Sequence, residues 1–373
     1  MLDLLISFFH LLALCIKKGI SIFVFRPPNP QGYKIDPSQN DKLSFLRNIK
    51  EKKYDSLQFG VLDIEYVRIQ EDKYKSYIPG ILIKPRNPFK ICIIYSHGNS
   101  GDIGTSILET LSLSINTNCC VLSYEYPGYG ECKSIPLTEE NVYYNIIKTY
   151  EYARETLNYR SSEIILYGFS LGTGICFDLA SRNSYPIAGL ILQAPFLSIV
   201  RTMYSMKQTR FFDFFSSIDK AKNIHCPVMI IHGNKDTIVP YIHGKILSKK
   251  IPKECMKEFV TIQDADHNNI FKINKDFIYE KVRNFIMNCS SKDYLKPNKH
   301  DESGEFVGNI SKSEIIDNKR DNEEQKLNDI HLEIDDEQKR PKSKNEFKSY
   351  YNKREGNVFN KESQIEMKCV TEP

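Results

Sequence analysis

At 373 residues the chain is long enough to bury one large core with length to spare. Hydrophobic residues at 41% and charged residues at 26% fit a folded domain with a polar appendage. A net charge of +4, with both signs interspersed, makes no case for nucleic acid as the main partner. The ten cysteines have no zinc-ligand spacing, and the one close pair, Cys119-Cys120, lies inside an apolar run. They read as reduced thiols of a cytosolic core rather than as a disulfide framework.

Residues 1–25, MLDLLISFFHLLALCIKKGISIFVF, are strongly apolar. Asp3 precedes the run, Lys17 and Lys18 follow it, and no small-residue cleavage site is evident, which is not the layout of a secretory signal. The uninterrupted apolar stretch is shorter than the roughly 20 residues a bilayer span requires. On a helix Asp3, Ser7, His10, Lys17 and Ser21 form one narrow polar stripe, the pattern of a helix lying in the membrane interface. The lysines would then sit beside anionic head groups, each contributing on the order of 1 kcal/mol. Two alternatives stay open: a helix packed on the protein's own core, and a span with snorkelling lysines. Both membrane readings put the remaining chain on the cytoplasmic face.

Residues 26–289 alternate strands with helices. Runs at 61–69 and 73–84 predict an antiparallel pair. Short runs rich in Ile, Val and Leu follow at 91–97, 120–126, 163–169, 189–195, 227–233 and 258–264, as expected of strands buried on both faces. Helical patterns lie between and after them, at 104–117, 138–158, 171–183, 241–251 and 274–288. This order predicts an α/β fold with a mostly parallel central sheet and helices on both faces. Residues 290–373 are dense in Lys, Glu, Asp, Asn and Ser and lack the apolar mass to offset ordering entropy. They read as a disordered tail, compatible with a short helix that forms on a partner.

The most informative local signal is Gly168-Phe169-Ser170-Leu171-Gly172, directly between a strand and a helix. A G-x-S-x-G turn there exposes its serine on a strained corner and aims the next helix's N-terminus at a developing oxyanion. A serine hydroxyl needs a base, and the base needs an orienting acid, in the chain order Ser, Asp or Glu, His. Asp236 follows the run at 227–233 and His267 the run at 258–264, both at C-terminal strand ends where ligands bind in such sheets. Asp264 and Asp266 are rivals for the acid but stand too near His267, and either suits the cap of the next helix. Asp219 lies at the wrong end of its strand, and His232 and His243 read as structural. Leu171 and Asn99 are the expected backbone donors of an oxyanion hole, with Ser100 as runner-up to Asn99. His97 reads as a brace for that loop. The 126–130 turn, Tyr-Pro-Gly-Tyr-Gly, either lines a pocket or forms a structural corner. Nothing in the pattern calls for a metal or a cofactor.

Together SHGNSGDIG, SYEYPGYGE, ILYGFSLGT, APF, SIDKAKNIHCPVMIIHG and IHGNKD…DADHN resemble the alpha/beta-hydrolase domain-containing 17 family over about residues 25–286. The resemblance implies the α/β-hydrolase fold and a membrane-associated serine hydrolase that removes palmitate from cysteines of other proteins. S-acylated membrane proteins would be its substrates. A lipid or small-molecule carboxylester hydrolase with the same triad is the alternative. An inactive scaffold that binds through its tail is opposed by the three intact triad positions. The family's N-terminal cluster of acylated cysteines is reduced here to Cys15, and the charged tail has no counterpart. Only about thirty residues separate APF from the run at 227–233, which leaves room for a short insertion of one or two short helices and no large cap. The phenylalanines of RFFDFF (210–215) are expected either to flank an acyl groove or to pack in the core.

Overall fold

In the computed structural model the described residues are 24–36, 42–45, 62–203, 209 and 213–289. Residues 1–23 and 290–373, which hold most of the apolar N-terminal run and the whole charged tail, lie outside them. Among the described residues there are ten strands: β1 (Tyr33–Asp36), β2 (Lys42–Phe45), β3 (Leu62–Glu71), β4 (Ser76–Pro85), β5 (Phe89–Ser96), β6 (Cys119–Tyr124), β7 (Ile164–Phe169), β8 (Gly189–Gln193), β9 (Val228–Gly233) and β10 (Met256–Ile262). The long helices are α1 (Ile107–Thr117), α2 (Glu139–Glu155), α3 (Leu171–Ala180), α6 (Ile242–Lys250) and α8 (Lys275–Cys289). Shorter ones, α4 (Ile199–Met203), α5 (Ser217–Lys220) and α7 (Ile270–Ile273), intervene.

Strands β3 to β10 form one sheet in the order β10-β9-β8-β7-β5-β6-β4-β3, while β1 and β2 pair as a separate antiparallel ribbon. Only β4 runs against its neighbours; every pair from β6 to β10 is parallel. Parallel strands need covered faces, and the side chains show both faces covered. Along β5, Ile91, Ile93 and Tyr95 enter one hydrophobic cluster with α1 and α8, while Cys92 and Ile94 enter another with α2, α3 and α6. β7 splits the same way, Ile165 and Tyr167 against Ile164 and Leu166. Each such aliphatic side chain contributes about 1.5–3 kcal/mol on full burial. Val24 and Phe25, at the end of the apolar N-terminal run, belong to the α2–α3 cluster.

Local chemistry sets the helix ends. Thr138 accepts from the Asn141 N–H at 3.2 Å to cap α2, whose first turn carries Glu139 and Glu140 and whose last carries Arg154. α1 stops at Asn118, which takes a left-handed φ of 52°. All eight described cysteines are unpaired thiols, and seven of them are buried. Among the described residues no helix is long and apolar enough to cross a membrane.

Candidate active site

The site lies where β7, β9 and β10 end. Ser170 sits between β7 and α3 with φ 51° and ψ −115°, a conformation that costs a residue with a Cβ about 1–3 kcal/mol. Both glycines of the turn are forced by contact. A Cβ on Gly168 would stand 2.5 Å from the Gly172 carbonyl oxygen, and one on Gly172 would run into the Ser96 carbonyl of β5. The corner is held by its own backbone. Ser170 N–H donates to the Gln193 carbonyl of β8 (3.0 Å), and the Ser170 carbonyl accepts from the Thr173 N–H (2.9 Å) and hydroxyl (2.6 Å).

Asp236 and His267 are brought in by loops that are bonded to each other. Lys235 N–H donates to the Ala265 carbonyl, Asn234 N–H to the Ile262 carbonyl, and Asp264 N–H to Asn234 Oδ1 (2.7 Å). The Asp236 carboxylate accepts from His267 Nδ1–H at 2.7 Å, so the other ring nitrogen is left as the acceptor. That nitrogen, Nε2, lies 2.9 Å from Ser170 Oγ, positioned to accept the hydroxyl proton. Ser170, Asp236 and His267 are therefore joined in one hydrogen-bonded chain, with the Phe169 ring tilted against the imidazole at 5.3 Å.

Asp236 has further partners. Its Oδ1 accepts from the N–H groups of Ile238 (2.9 Å) and Val239 (2.8 Å). His232, read from sequence as structural, stands 3.4 Å from Oδ2 while its Nε2–H donates to the Val239 carbonyl at 3.0 Å. Burial alone would push the Asp236 carboxyl up. The hydrogen bonds and charges of His232 and His267 outweigh it and hold the group well below the usual carboxylate range.

The loop after β5 meets Ser170: a Cβ on Gly98 would be 3.9 Å from Ser170 Cβ. Leu171 opens α3 beside the serine, and Asn99 follows Gly98 in that loop. Among the described residues neither of their backbone N–H groups donates to a protein acceptor. His97 braces the loop from beneath, its ring bonded to the Gly98 carbonyl (2.9 Å) and to Glu125 Oε1 (3.2 Å), both side chains fully buried. Burial pushes the Glu125 carboxyl up, and the bond from His97 opposes it. Tyr126 and Tyr129 are buried, with hydroxyls on the His97 carbonyl (2.6 Å) and Asn99 Oδ1 (2.7 Å), so the 126–130 turn is a brace and not a pocket wall.

The rival acids fall elsewhere. Asp266 accepts from the Asn268 and Asn269 N–H groups just before α7, Asp264 pairs with Lys235, and exposed Asp219 takes a bond from Ser216. His243 accepts from the Leu197 N–H; His300 and His331 lie outside the described residues. Of the phenylalanines of 210–215, Phe211 and Phe212 lie outside the described residues, while Phe214 and Phe215 are buried, Phe215 edge-on to Phe25 and Tyr143, and pack in the core rather than flank a groove. Sequence reasoning passed over Glu125 and the second histidine on Asp236. A lone acid closing an apolar run was the available signal for the first; the second had none.

Comparison with known proteins agrees with this architecture. Residues 138–290 match the family described as Phospholipase/Carboxylesterase. Alpha/beta hydrolase domain-containing protein aho-3 of Caenorhabditis elegans is 29% identical over 268 residues, 72% of this chain and 77% of that protein. Protein 17C of Xenopus tropicalis is 34% identical over 195 residues, covering 52% of this chain and 61% of its relative's length. Human protein 17B is 30% identical over 259 residues, 69% of this chain and 87% of the relative. An esterase of Pyrococcus furiosus superposes with a TM-score of 0.51 at 15% identity, over 62% of this chain and 93% of its own, a likeness of fold alone. The chain is thus an α/β hydrolase and belongs to the alpha/beta hydrolase domain-containing 17 family.

Proposed function

We propose that the protein is a membrane-associated serine hydrolase that cleaves acyl thioesters, with S-palmitoyl groups on membrane proteins as substrates. The observation that carries the reading is the His267 imidazole, hydrogen-bonded to Asp236 on one side and Ser170 on the other. Ser170 Oγ attacks the thioester carbonyl carbon as His267 Nε2 takes its proton. The developing oxyanion faces the N–H groups of Leu171 and Asn99, where each donor contributes roughly 3–4 kcal/mol. Collapse breaks the C–S bond, and the thiol leaves with the proton from His267. Water, deprotonated by the same nitrogen, then attacks the acyl-enzyme, and Ser170 recovers its proton as the fatty acid departs. Asp236, kept ionised by its partners, stabilises the imidazolium at each stage. A thiol is a good leaving group, so little is demanded of His267 as an acid. No cofactor enters these steps.

Residues 1–23 supply the membrane contact in this reading, on the cytoplasmic face, and the acidic and basic tail is left to a protein partner. Turnover of carboxylesters is the second reading, favoured by the Phospholipase/Carboxylesterase match over residues 138–290. A fluorophosphonate is expected to label the wild type and not Ser170→Ala. Hydrolysis of an S-palmitoyl peptide, measured beside a monoacylglycerol, should favour the peptide. Faster turnover of the glyceride would replace the thioesterase reading by the second. Labelling that survives in Ser170→Ala would end both.

A further inference from the structure

A glycine-flanked loop is a poor place for a catalytic donor. Gly98-Asn99-Ser100-Gly101 has little steric restriction of its own, whereas an oxyanion donor must hold its direction within roughly 10–20°. Residues 24–33, which precede β2, supply the missing restraint and tie the loop at two points. At the first, the Asn99 side-chain amide donates to the Val24 carbonyl (2.5 Å), and its Oδ1 accepts from the Arg26 backbone N–H (3.2 Å). The Tyr129 hydroxyl joins them, accepting from the Arg26 N–H (2.9 Å) and donating to Asn99 Oδ1 (2.7 Å). At the second, the fully buried Asp102 carboxylate accepts from the Gly32 N–H (2.6 Å) and the Thr105 N–H (2.7 Å). At the second tie the two segments also touch backbone to backbone: a Cβ on Gly104 would stand 2.5 Å from the Gly32 carbonyl carbon.

We propose that residues 24–33 are a positioning strap for the oxyanion loop, with the Asn99 side chain as its joint. The proposal rests on the reading of Ser170 as nucleophile and of Asn99 N–H as a donor. Asn99 then has two separate duties. Its backbone faces the oxyanion, while both ends of its amide are fixed to a segment some seventy residues earlier in the chain. Tyr129 acts through that joint and touches no substrate.

The test is steady-state hydrolysis of a soluble p-nitrophenyl ester by the full-length chain, with kcat and KM resolved. The variants are Asn99→Ala, Tyr129→Phe, their double, and Ser170→Ala. Asn99→Ala retains the backbone donor, so its kcat is expected to fall about 10- to 100-fold, short of the roughly 10²- to 10³-fold loss of a whole donor, with KM within about 2-fold. Tyr129→Phe should lower kcat about 3-fold, and the double variant should fall no further than Asn99→Ala, since coupled sites do not add. Should Asn99→Ala fail to fold, the kcat of Tyr129→Phe at an unchanged unfolding temperature decides. Wild-type kcat in these variants, losses that add in the double, or losses that merely track the folded fraction would overturn the strap. If Ser170→Ala hydrolyses the ester like the wild type, the nucleophile assignment itself falls and the strap with it.

Discussion

Ser170 carries a strain that a stability optimum would not keep. At φ 51° and ψ −115° only glycine rests easily, and the residue stays there because Gln193 and Thr173 bond its backbone. Ser170→Gly is therefore expected to raise stability by about 1 kcal/mol, net of the extra chain entropy of glycine, while hydrolysis is lost; thermal unfolding beside an ester assay checks it. Asp236 supplies a pH-dependent contribution whose sign follows from its depressed folded-state titration. The stabilisation is complete above the unfolded-chain value of about 3.9 and is lost as pH falls through the lower folded value. Asp236→Asn lacks it, so the stability gap between wild type and variant should be widest at neutral pH and narrow below about pH 4. Urea unfolding across that range tests this, and a gap that widens on acidification would contradict it.

At the scale of elements, the Ser170 corner depends on how closely α3 approaches β5. Gly172 is the contact residue, since any Cβ there meets the Ser96 carbonyl. Gly172→Ala must push the helix off the sheet or rotate the turn, and overpacking of this kind costs typically 1–3 kcal/mol. Because the shift also carries Ser170 away from His267, kcat is expected to drop more than the stability loss alone accounts for. Chemical denaturation paired with active-site labelling separates the two effects. The elements themselves were legible in advance: the short apolar runs at 91–97 and 163–169 became β5 and β7, and the antiparallel pair became β3 and β4. The insertion with room for one or two short helices holds α4 and α5, but their bounds, and α7 altogether, were not legible, because four or five residues carry too little periodicity to register.

For the whole molecule, the apolar residues 1–23 lead in the chain straight into the buried pair Val24 and Phe25. If it rests on an anionic surface, the full-length protein should sediment with phosphatidylserine vesicles. Replacing Lys17 and Lys18 by Glu should then release most of it, as each lysine contributes about 1 kcal/mol. Equal binding to neutral and anionic vesicles, unaffected by the substitution, would argue for an apolar anchor without charge recognition.

By itself the sequence determined the layered α/β architecture, the strand-to-helix corner at Ser170, and the choice of Asp236 and His267 as the groups to meet it. Each rests on local spacing, where strand and helix periods or a glycine pair leave a readable trace. Only the tertiary structure decided that Tyr126 and Tyr129 brace a loop instead of lining a pocket, and that Phe214 and Phe215 pack inward. It alone placed a second histidine against Asp236 and laid residues 24–33 on the loop of Asn99. Such contacts join groups far apart in the chain through one or two hydrogen bonds. A polar side chain that bonds across seventy residues repeats with no period, and nothing beside it in the chain announces its partner.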